Sequence, residues 1–379
     1  MKSNSIIVSC ETRKYIHSDN SCSNFGLMNM FSIIIITILS ILSALWWHLN
    51  TKIPSNFPPG PPRYPLIGSI PYIVRKNKSF THGLFESVKK YGKLVGFYMG
   101  SKPFVVIADH GLLKDLLKRE EVAGRPPIAP LHEFRPGHKT LGPDNEGRMP
   151  GVLRTQGPYW REQRRFLLRN LRDFGFGKSE MEDAMLDEIE KLSIELKKNI
   201  RKPKPLDNTL NLAIANTLWS LLAGETLPLN DPTLMKVVDN VCRFIKEASQ
   251  LTYWTVMLPF PRLLLVFHKY FKLQLFENAL NGLSTMINKQ IQEHKDTRDK
   301  ETVRDMMDLF LNEIEETSDH NSSFYGQKGH YAMVNDFIDL FLASIETTST
   351  SLNWTFFYLL HHPEMKQKIH EELDKVRKS

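Results

Sequence analysis

A short polar run interrupts an otherwise apolar stretch between Phe341 and Ser351, and it contains Glu346 and Thr347. Once a helix here is buried, these polar groups must be hydrogen-bonded or hydrated, because an unpaired buried hydroxyl or carboxyl costs about 1–3 kcal/mol. Two interpretations are open. The run belongs to a helix that passes over a cofactor where something small binds, or to a core helix whose Ser and Thr hydroxyls bond to carbonyls four residues earlier.

The helical period places one small, polar surface at the middle of this segment. At 100° per residue, several side chains fall within about 40° of Thr347. They are Asp336, Leu340, Ala343, Ser351 and Trp354. Bulky residues therefore stand above and below a small central patch, which suits a helix that lies over a cofactor.

A second segment, from Trp160 to Arg172, is predicted to be a helix with two different faces. Arg164 falls on the apolar face, with Trp160, Leu167 and Leu171. A guanidinium in that position needs an anion, preferably one that it can grip with two parallel hydrogen bonds. A protein carboxylate and a cofactor carboxylate both meet this need, and the residues alone leave the choice open.

Four further arginines lie on a separate arc of the same predicted helix, roughly 100–180° from Trp160. They are Arg161, Arg165, Arg169 and Arg172. Such an arc is either a solvated surface or a surface that faces a partner.

Together these segments resemble the cytochromes P450, the haem-thiolate monooxygenases. Trp160 and Arg164 are similar to the family's C-helix pair, and Ala343–Thr348 is similar to its oxygen-binding motif on the I helix. Further short matches follow the family's order: Phe57–Pro62, Leu66–Ser69, Gly124–Pro127, Gly157–Trp160 and His362–Glu364. Within the family, the chain resembles the microsomal clan of drug-, steroid- and hormone-metabolising members, with an arthropod-like character.

The resemblance implies haem b as the cofactor and a role for each residue of the two segments. Thr347 and Glu346 would be the catalytic residues of oxygen activation and proton supply. Trp160 and Arg164 would clamp a haem propionate, and Ala343 would leave room over the iron. Ser344 stands where the family usually has glycine; its side chain can bond back to a helix carbonyl and still permit a distortion, so the groove should survive.

The resemblance also implies a substrate pocket and a redox partner. Residues 128–156 would form a substrate-recognition loop, with Phe134 and Leu141 as pocket walls or plain surface residues, and Leu340 would line the same pocket. The arginine arc would dock an acidic reductase that delivers electrons from NADPH. The substrate would be a lipophilic small molecule, hydroxylated or epoxidised with O2.

The cysteines do not match the family's iron ligand. Cys10 and Cys22 precede the most apolar segment, and Cys242 lies well before the polar run. The family's K helix, L helix and cysteine loop, which would supply the thiolate, are expected beyond Ser379. The 379 residues are therefore expected to be inactive as written. They are either a fragment of a longer enzyme or a truncated pseudoenzyme that binds a lipophilic ligand or the reductase.

Residues Phe31 to Leu49 carry no formally charged side chain and end in a pair of tryptophans at the polar boundary. This length and pattern predict a transmembrane anchor over residues 28–50, with a buried core helix as the alternative. A polar leader of doubtful status, residues 1–27, precedes it, and translation from Met28 or Met30 would omit that leader. Six prolines between Pro54 and Pro65 predict a stiff hinge over residues 51–68.

Residues 69–379 then form the first three-quarters of a monooxygenase domain, mainly α with a small β-sheet. A hairpin is predicted from Leu94–Met99 and Phe104–Ile107, and a solvated helix from Lys178–Asn199. The formal charge of +7 suits an anionic membrane or an acidic partner, whereas the interspersed acids argue against nucleic acid. By resemblance, the domain lies on the cytosolic side of the endoplasmic reticulum membrane.

Overall fold

The structure is a computed structural model that describes residues 20–75, 79–125, 131–140, 150–173, 179–198, 206–257, 263–267, 269–270, 272–299 and 301–378. It is mainly helical with one two-stranded sheet, which confirms the predicted fold class at that level. The helices are α1 (Asn20–Thr51), α2 (Ile70–Ile73), α3 (Phe80–Tyr91), α4 (His110–Leu116), α5 (Gly157–Asp173), α6 (Ser179–Lys198), α7 (Asp207–Ala223), α8 (Pro232–Met257), α9 (Leu263–Val266), α10 (Leu273–Thr297), α11 (Met306–Glu316), α12 (Gly326–His361) and α13 (Pro363–Lys378). The strands are β1 (Leu94–Met99) and β2 (Lys102–Ile107).

The chain divides into two compact units. The first contains α1, α2, α3 and the hairpin residues Val95–Val105. In this unit the backbone of Gly96 donates to the Pro59 carbonyl at 3.0 Å, and the Phe97 and Phe104 rings stack across the hairpin with centroids 5.5 Å apart. The predicted hairpin is confirmed, and β2 begins two residues earlier than expected.

None of the helices formed by the residues that the structure describes is long and apolar enough to cross a membrane.

The second unit comprises Gly92–Leu94 and Val106–Ser379, and it is built around α12. Helix α12 packs mainly against α7, with α10, α8 and α11 around it. Its first half supplies Phe337 and Phe341 to the core, where Phe341 meets Trp219 and Phe337 meets Phe310. The core thus holds the first half of α12 on several sides.

Local sequence signals explain how the helices of this unit begin and end. Pro158 stands in the first turn of α5, where its missing N–H costs nothing. Asp305 caps α11, because its carboxylate accepts from the backbone N–H groups of Met307 and Asp308. Gly224 ends α7 in the left-handed conformation, with φ of 68°.

The helices predicted from the sequence are present with small shifts. The predicted helix from Trp160 to Arg172 is α5, which begins three residues earlier. The predicted solvated helix is α6, and the polar run lies within α12. Helix α12 starts at Gly326, inside a segment that has no apolar period from which its start could be predicted.

Candidate functional site

The polar run of α12 leads from a fully buried start to an open surface. Asp336 is buried and Leu340 is half-buried against the core, whereas Ala343 and Thr347 are exposed. Ser351 and Trp354, further along the same predicted face, are exposed as well. The described residues therefore leave the small central patch accessible, as a helix that lies over a bound group requires.

The hydroxyl groups of this run bond mostly to their own helix. The Thr347 Oγ1 donates to the Ala343 carbonyl at 2.6 Å, and Ser351 bonds in the same way to Thr347 at 2.9 Å. This is the back-bonding that the sequence offered as one interpretation. Because a hydroxyl keeps acceptor capacity after donating, Thr347 can still bind a water or a ligand on its exposed side.

Glu346 and Thr347, predicted as a catalytic pair, point in different directions. Helix α12 is continuous through both residues, so their side chains diverge by about 100°. Glu346 is half-buried, accepts from the Thr350 hydroxyl at 3.1 Å, and lines a groove with Asn211 and Lys246. A proton could pass from Glu346 to Thr347 only through intervening groups or water.

Ser344 does not make the hydrogen bond that the sequence allows it. Its Oγ is buried and has no hydrogen-bond partner among the residues that the structure describes, so the bond to a helix carbonyl is not formed. The serine adds bulk beside Ala343 without a compensating bond.

Trp160 and Arg164 lie together at the start of α5. The Trp160 indole N–H donates to the Val152 carbonyl at 3.1 Å, and the Arg164 guanidinium lies 5.4 Å from the centroid of the Trp160 ring. Arg164 was expected on an apolar face; it is instead exposed, whereas Leu167 and Leu171 further along that face are buried. Arg164 has no carboxylate partner among the described residues.

The four arginines of the arc are all exposed on α5. Arg161 forms an ion pair with Glu120 at 2.7 Å, with both side chains more than half exposed. Arg165, Arg169 and Arg172 make no ion pair with any described residue, so three of the four charges are available to a partner.

The predicted pocket residues have different environments. Phe134 is half-buried and packs edge-to-face on Phe276, with ring centroids 5.9 Å apart, so it contributes to the core. Leu340 also packs against the core from α12. Leu141 lies outside the described residues. Cys242, the cysteine whose side chain is described, accepts from the Asn211 amide at 3.2 Å in the interior of α8.

The sequence did not reveal a buried ionic contact that ties α12 to the preceding loops. Arg135 and Asp339 form a salt bridge at 2.5 Å, and both side chains are almost fully buried. The second oxygen of Asp339 accepts from the Leu153 backbone N–H at 2.9 Å. Asn335 donates to the Pro136 carbonyl at 2.8 Å. These contacts join residues about 200 positions apart, which no local pattern predicts.

Asp336 lies one residue from Asn335 and stays outside this network. Both of its carboxylate oxygens are buried and have no partner among the described residues. Burial, with the charge of Asp339, raises the pKa of Asp336 well above its usual range. Burial likewise raises the pKa of Tyr159, whose hydroxyl has no described partner. Burial therefore favours the neutral form of the Asp336 carboxyl, because an unpaired buried charge is far costlier than a neutral acid.

The exposed guanidinium on α5 and the open patch on α12 belong to the same helical unit. The model of the cytochrome P450 family matches residues 58–379. The chain belongs to the cytochrome P450 family.

Individual relatives agree with this assignment. The chain is 31% identical over 358 residues to cytochrome P450 2C44 of Mus musculus, covering 93% of this chain and 67% of that protein. It is 30% identical over 334 residues to cytochrome P450 2L1 of Panulirus argus, covering 86% and 64%. It is 30% identical over 349 residues to cytochrome P450 2D3 of Rattus norvegicus, covering 90% and 66%. The chain spans about two thirds of the length of these relatives and resembles the group numbered 2 within the family.

Proposed function

We propose that the protein is a haem-dependent monooxygenase that oxidises a lipophilic small molecule with O2, using electrons from an NADPH-dependent reductase. The observation that carries this proposal is the open patch of Ala343 and Thr347 on α12, in a chain of this family. The proposal includes attachment to the endoplasmic reticulum membrane, for which the uncharged run from Phe31 to Leu49 is the support.

The residues present fit the haem in two respects. A carboxylate of the cofactor would satisfy Arg164, whose guanidinium is exposed and stacked on Trp160. The small side chain of Ala343 and the accessible Thr347 leave space on α12 for a flat group. The described residues supply no thiolate in a position to bind the iron, since Cys242 lies inside α8 against Asn211.

Haem with a thiolate ligand supplies the reductive activation of O2. The residues of this chain would hold the haem carboxylate and orient a water or ligand beside α12. Arg164 would hold a carboxylate of the haem through its forked N–H groups, and the Trp160 ring would keep the guanidinium in place. The Thr347 hydroxyl, anchored to the Ala343 carbonyl, orients a water or ligand at the exposed side of α12. Glu346 accepts from the Thr350 hydroxyl, and it could exchange a proton with Thr347 only through water or other intervening groups.

Replacing Thr347 by alanine tests the catalytic part of the proposal. We expect Thr347→Ala in the native protein to consume NADPH with less product per electron pair, because the orienting hydroxyl is lost. Thr348→Ala is the matched control, since it removes a neighbouring exposed hydroxyl from a different face of α12. Equal coupling in the two variants would exclude Thr347 from the mechanism.

Charge reversal tests the reductase surface. Exposed charges change the association rate of two proteins and its salt dependence more than they change the affinity of the complex. Arg165→Glu with Arg169→Glu should therefore weaken reductase binding strongly at low salt and little at high salt. The control reverses two exposed lysines on α10, Lys289 and Lys295. If both double variants bind the reductase alike, the arginine arc is only a solvated surface.

A further inference from the structure

Helix α5 carries Trp160 and Arg164 on one face and is anchored from the opposite face. At 100° per residue, Arg164 lies about 40° from Trp160, whereas Glu162 lies about 160° from both, on the back of the helix. No helix or strand among the described residues runs in close backbone contact along α5. Side-chain contacts must therefore set the rotation of this helix about its axis.

The carboxylate of Glu162 accepts three short hydrogen bonds from the segment that leads into α12. Its Oε1 accepts from the Ser322 hydroxyl at 2.6 Å. Its Oε2 accepts from the Ser323 backbone N–H at 2.8 Å and from the Ser323 hydroxyl at 2.6 Å. Burial acts to raise the pKa of Glu162, but these hydrogen bonds outweigh burial and lower the pKa, so the carboxyl is ionised at neutral pH. Because hydrogen bonds to an ionised group are shorter and stronger than neutral ones, both oxygens are fixed to one two-residue segment.

Two further side chains of α5 hold the same segment. Ser323 is only 1% exposed, and its Oγ accepts from the Gln163 side-chain amide at 2.7 Å. The next residue, Phe324, packs on Phe166, with ring centroids 4.9 Å apart. The segment is therefore a rigid support against which the Glu162 carboxylate can fix the helix.

A small rotation of α5 would misplace the Arg164 guanidinium. Side chains extend about 5–6 Å from a helix axis, so a turn of about 20° moves a side-chain tip by about 2 Å. A grip on a carboxylate by two parallel hydrogen bonds depends on geometry and is lost over such a displacement. The anchor at Glu162 therefore determines where Arg164 can bind a carboxylate.

We propose that Glu162 is a positioning residue of the haem site: anchored to the segment before α12, it fixes the rotation of α5 and the direction in which Trp160 and Arg164 face. The inference rests on the proposed function, in which Arg164 holds a carboxylate of the haem. Glu162 acts through Arg164 and from the opposite side of the helix. Its effect on haem binding should therefore disappear once Arg164 is removed.

The rate of haem transfer from the native protein to apomyoglobin tests this role, and urea unfolding measures stability alongside. We expect Glu162→Ala to lose haem about tenfold faster than the wild type, the factor to which the lower value for one hydrogen bond to a charged group corresponds. In an Arg164→Leu background, Glu162→Ala should add almost nothing to haem loss, while it lowers the urea midpoint as much as in the wild-type background. Asp173→Ala removes an exposed acid from the end of the same helix and should match the wild type in both measurements.

The indole N–H of Trp160 gives a second readout that does not depend on haem. It donates to the Val152 carbonyl at 3.1 Å, so its ¹⁵N resonance, identified by its loss in Trp160→Phe, reports the orientation of this face of α5. We expect this resonance to shift in Glu162→Ala and in Ser323→Ala, which repeats the test if Glu162→Ala fails to fold, but not in Asp173→Ala. Glu162→Gln keeps the size of the side chain and one accepting oxygen, so it should restore most of the haem retention and the native resonance.

The positioning role and the carboxylate grip can fail separately. Equal acceleration of haem loss by Glu162→Ala in the wild-type and Arg164→Leu backgrounds, or an unmoved Trp160 resonance, would overturn the positioning role. If Arg164→Leu accelerated haem loss and Glu162→Ala did not, the positioning role would fall and the grip of Arg164 would stand. If Arg164→Leu left haem loss unchanged, or the native protein held no haem, the grip in the proposed function would fall, and the positioning role with it.

Discussion

A buried ion pair between His294 of α10 and Asp305 of α11 should make the stability of the protein depend on pH near neutrality. The His294 Nδ1 lies 2.9 Å from the Gln290 carbonyl oxygen, and its Nε2 lies 2.7 Å from the Asp305 carboxylate. Both neighbours are acceptors, so both ring nitrogens must donate, and the side chain is an imidazolium. Its charge is paired inside the protein, since both side chains are almost fully buried.

The pKa of His294 gives the sign of the pH dependence. Burial acts to lower this pKa, but the hydrogen bond and charge of Asp305 outweigh burial and raise it above its usual value. The stabilisation is therefore fully present below about pH 6.5, the usual value for histidine, and is lost as pH rises through the higher pKa of the folded protein. Removing one partner of a buried pair costs about 3–5 kcal/mol. Because Asp305 keeps two backbone N–H donors, we expect the lower end, about 3 kcal/mol, for His294→Gln.

Urea unfolding at about pH 6 and at a pH well above the usual pKa of histidine measures this penalty as the imidazolium loses its proton. The loss caused by His294→Gln should be large at the lower pH and much smaller at the higher one. His330→Gln is the control, because burial lowers the pKa of His330 and its Nε2 lies 3.1 Å from the amide oxygen of Asn288. The control should lose about 1 kcal/mol or less at either pH. An equal penalty for His294→Gln at both values would refute the imidazolium.

Two further predictions concern the buried polar groups beside α12. The pKa of Asp336 is raised by burial, so the wild-type protein should lose stability as pH rises above about 4, the usual pKa of aspartate, while Asp336→Asn should not; parallel urea midpoints for the two would contradict the neutral carboxyl. Gly151 has φ of 105° and a Cβ there would overlap the Asp339 carboxylate, so Gly151→Ala should cost at least about 1 kcal/mol more than Gly92→Ala, where φ is 101° and the space is open. Equal thermal midpoints for the two alanine variants would show that Asp339 moves freely.

The sequence predicted the elements that present the site, because their signals are local. The period of apolar residues in α5 and α6 and the turn at Gly100 each fix a structure within a few residues of chain. The same period placed Thr347 and Ala343 on one face of α12, and both are indeed exposed there.

The contacts that hold those elements together could not be predicted. Arg135 and Asp339 meet across 204 positions, and Glu162 of α5 accepts from Ser323 across 161 positions. Nothing in the residues around Arg135 specifies a partner at that distance. Periodicity also groups residues on one face without showing what covers that face, which is why it placed Arg164 with Leu167 and Leu171 but did not predict that Arg164 is exposed.

The reduced carbon monoxide difference spectrum of the native protein, isolated from microsomes, tests the central proposal most directly. This spectrum reports both the presence of haem and the chemical nature of its iron ligand. The account predicts bound haem with a thiolate-type band, and retention of that haem should fall in Arg164→Leu but not in Arg169→Leu. A native protein that retains no haem would contradict the monooxygenase and favour a non-catalytic protein that binds a lipophilic ligand or the reductase.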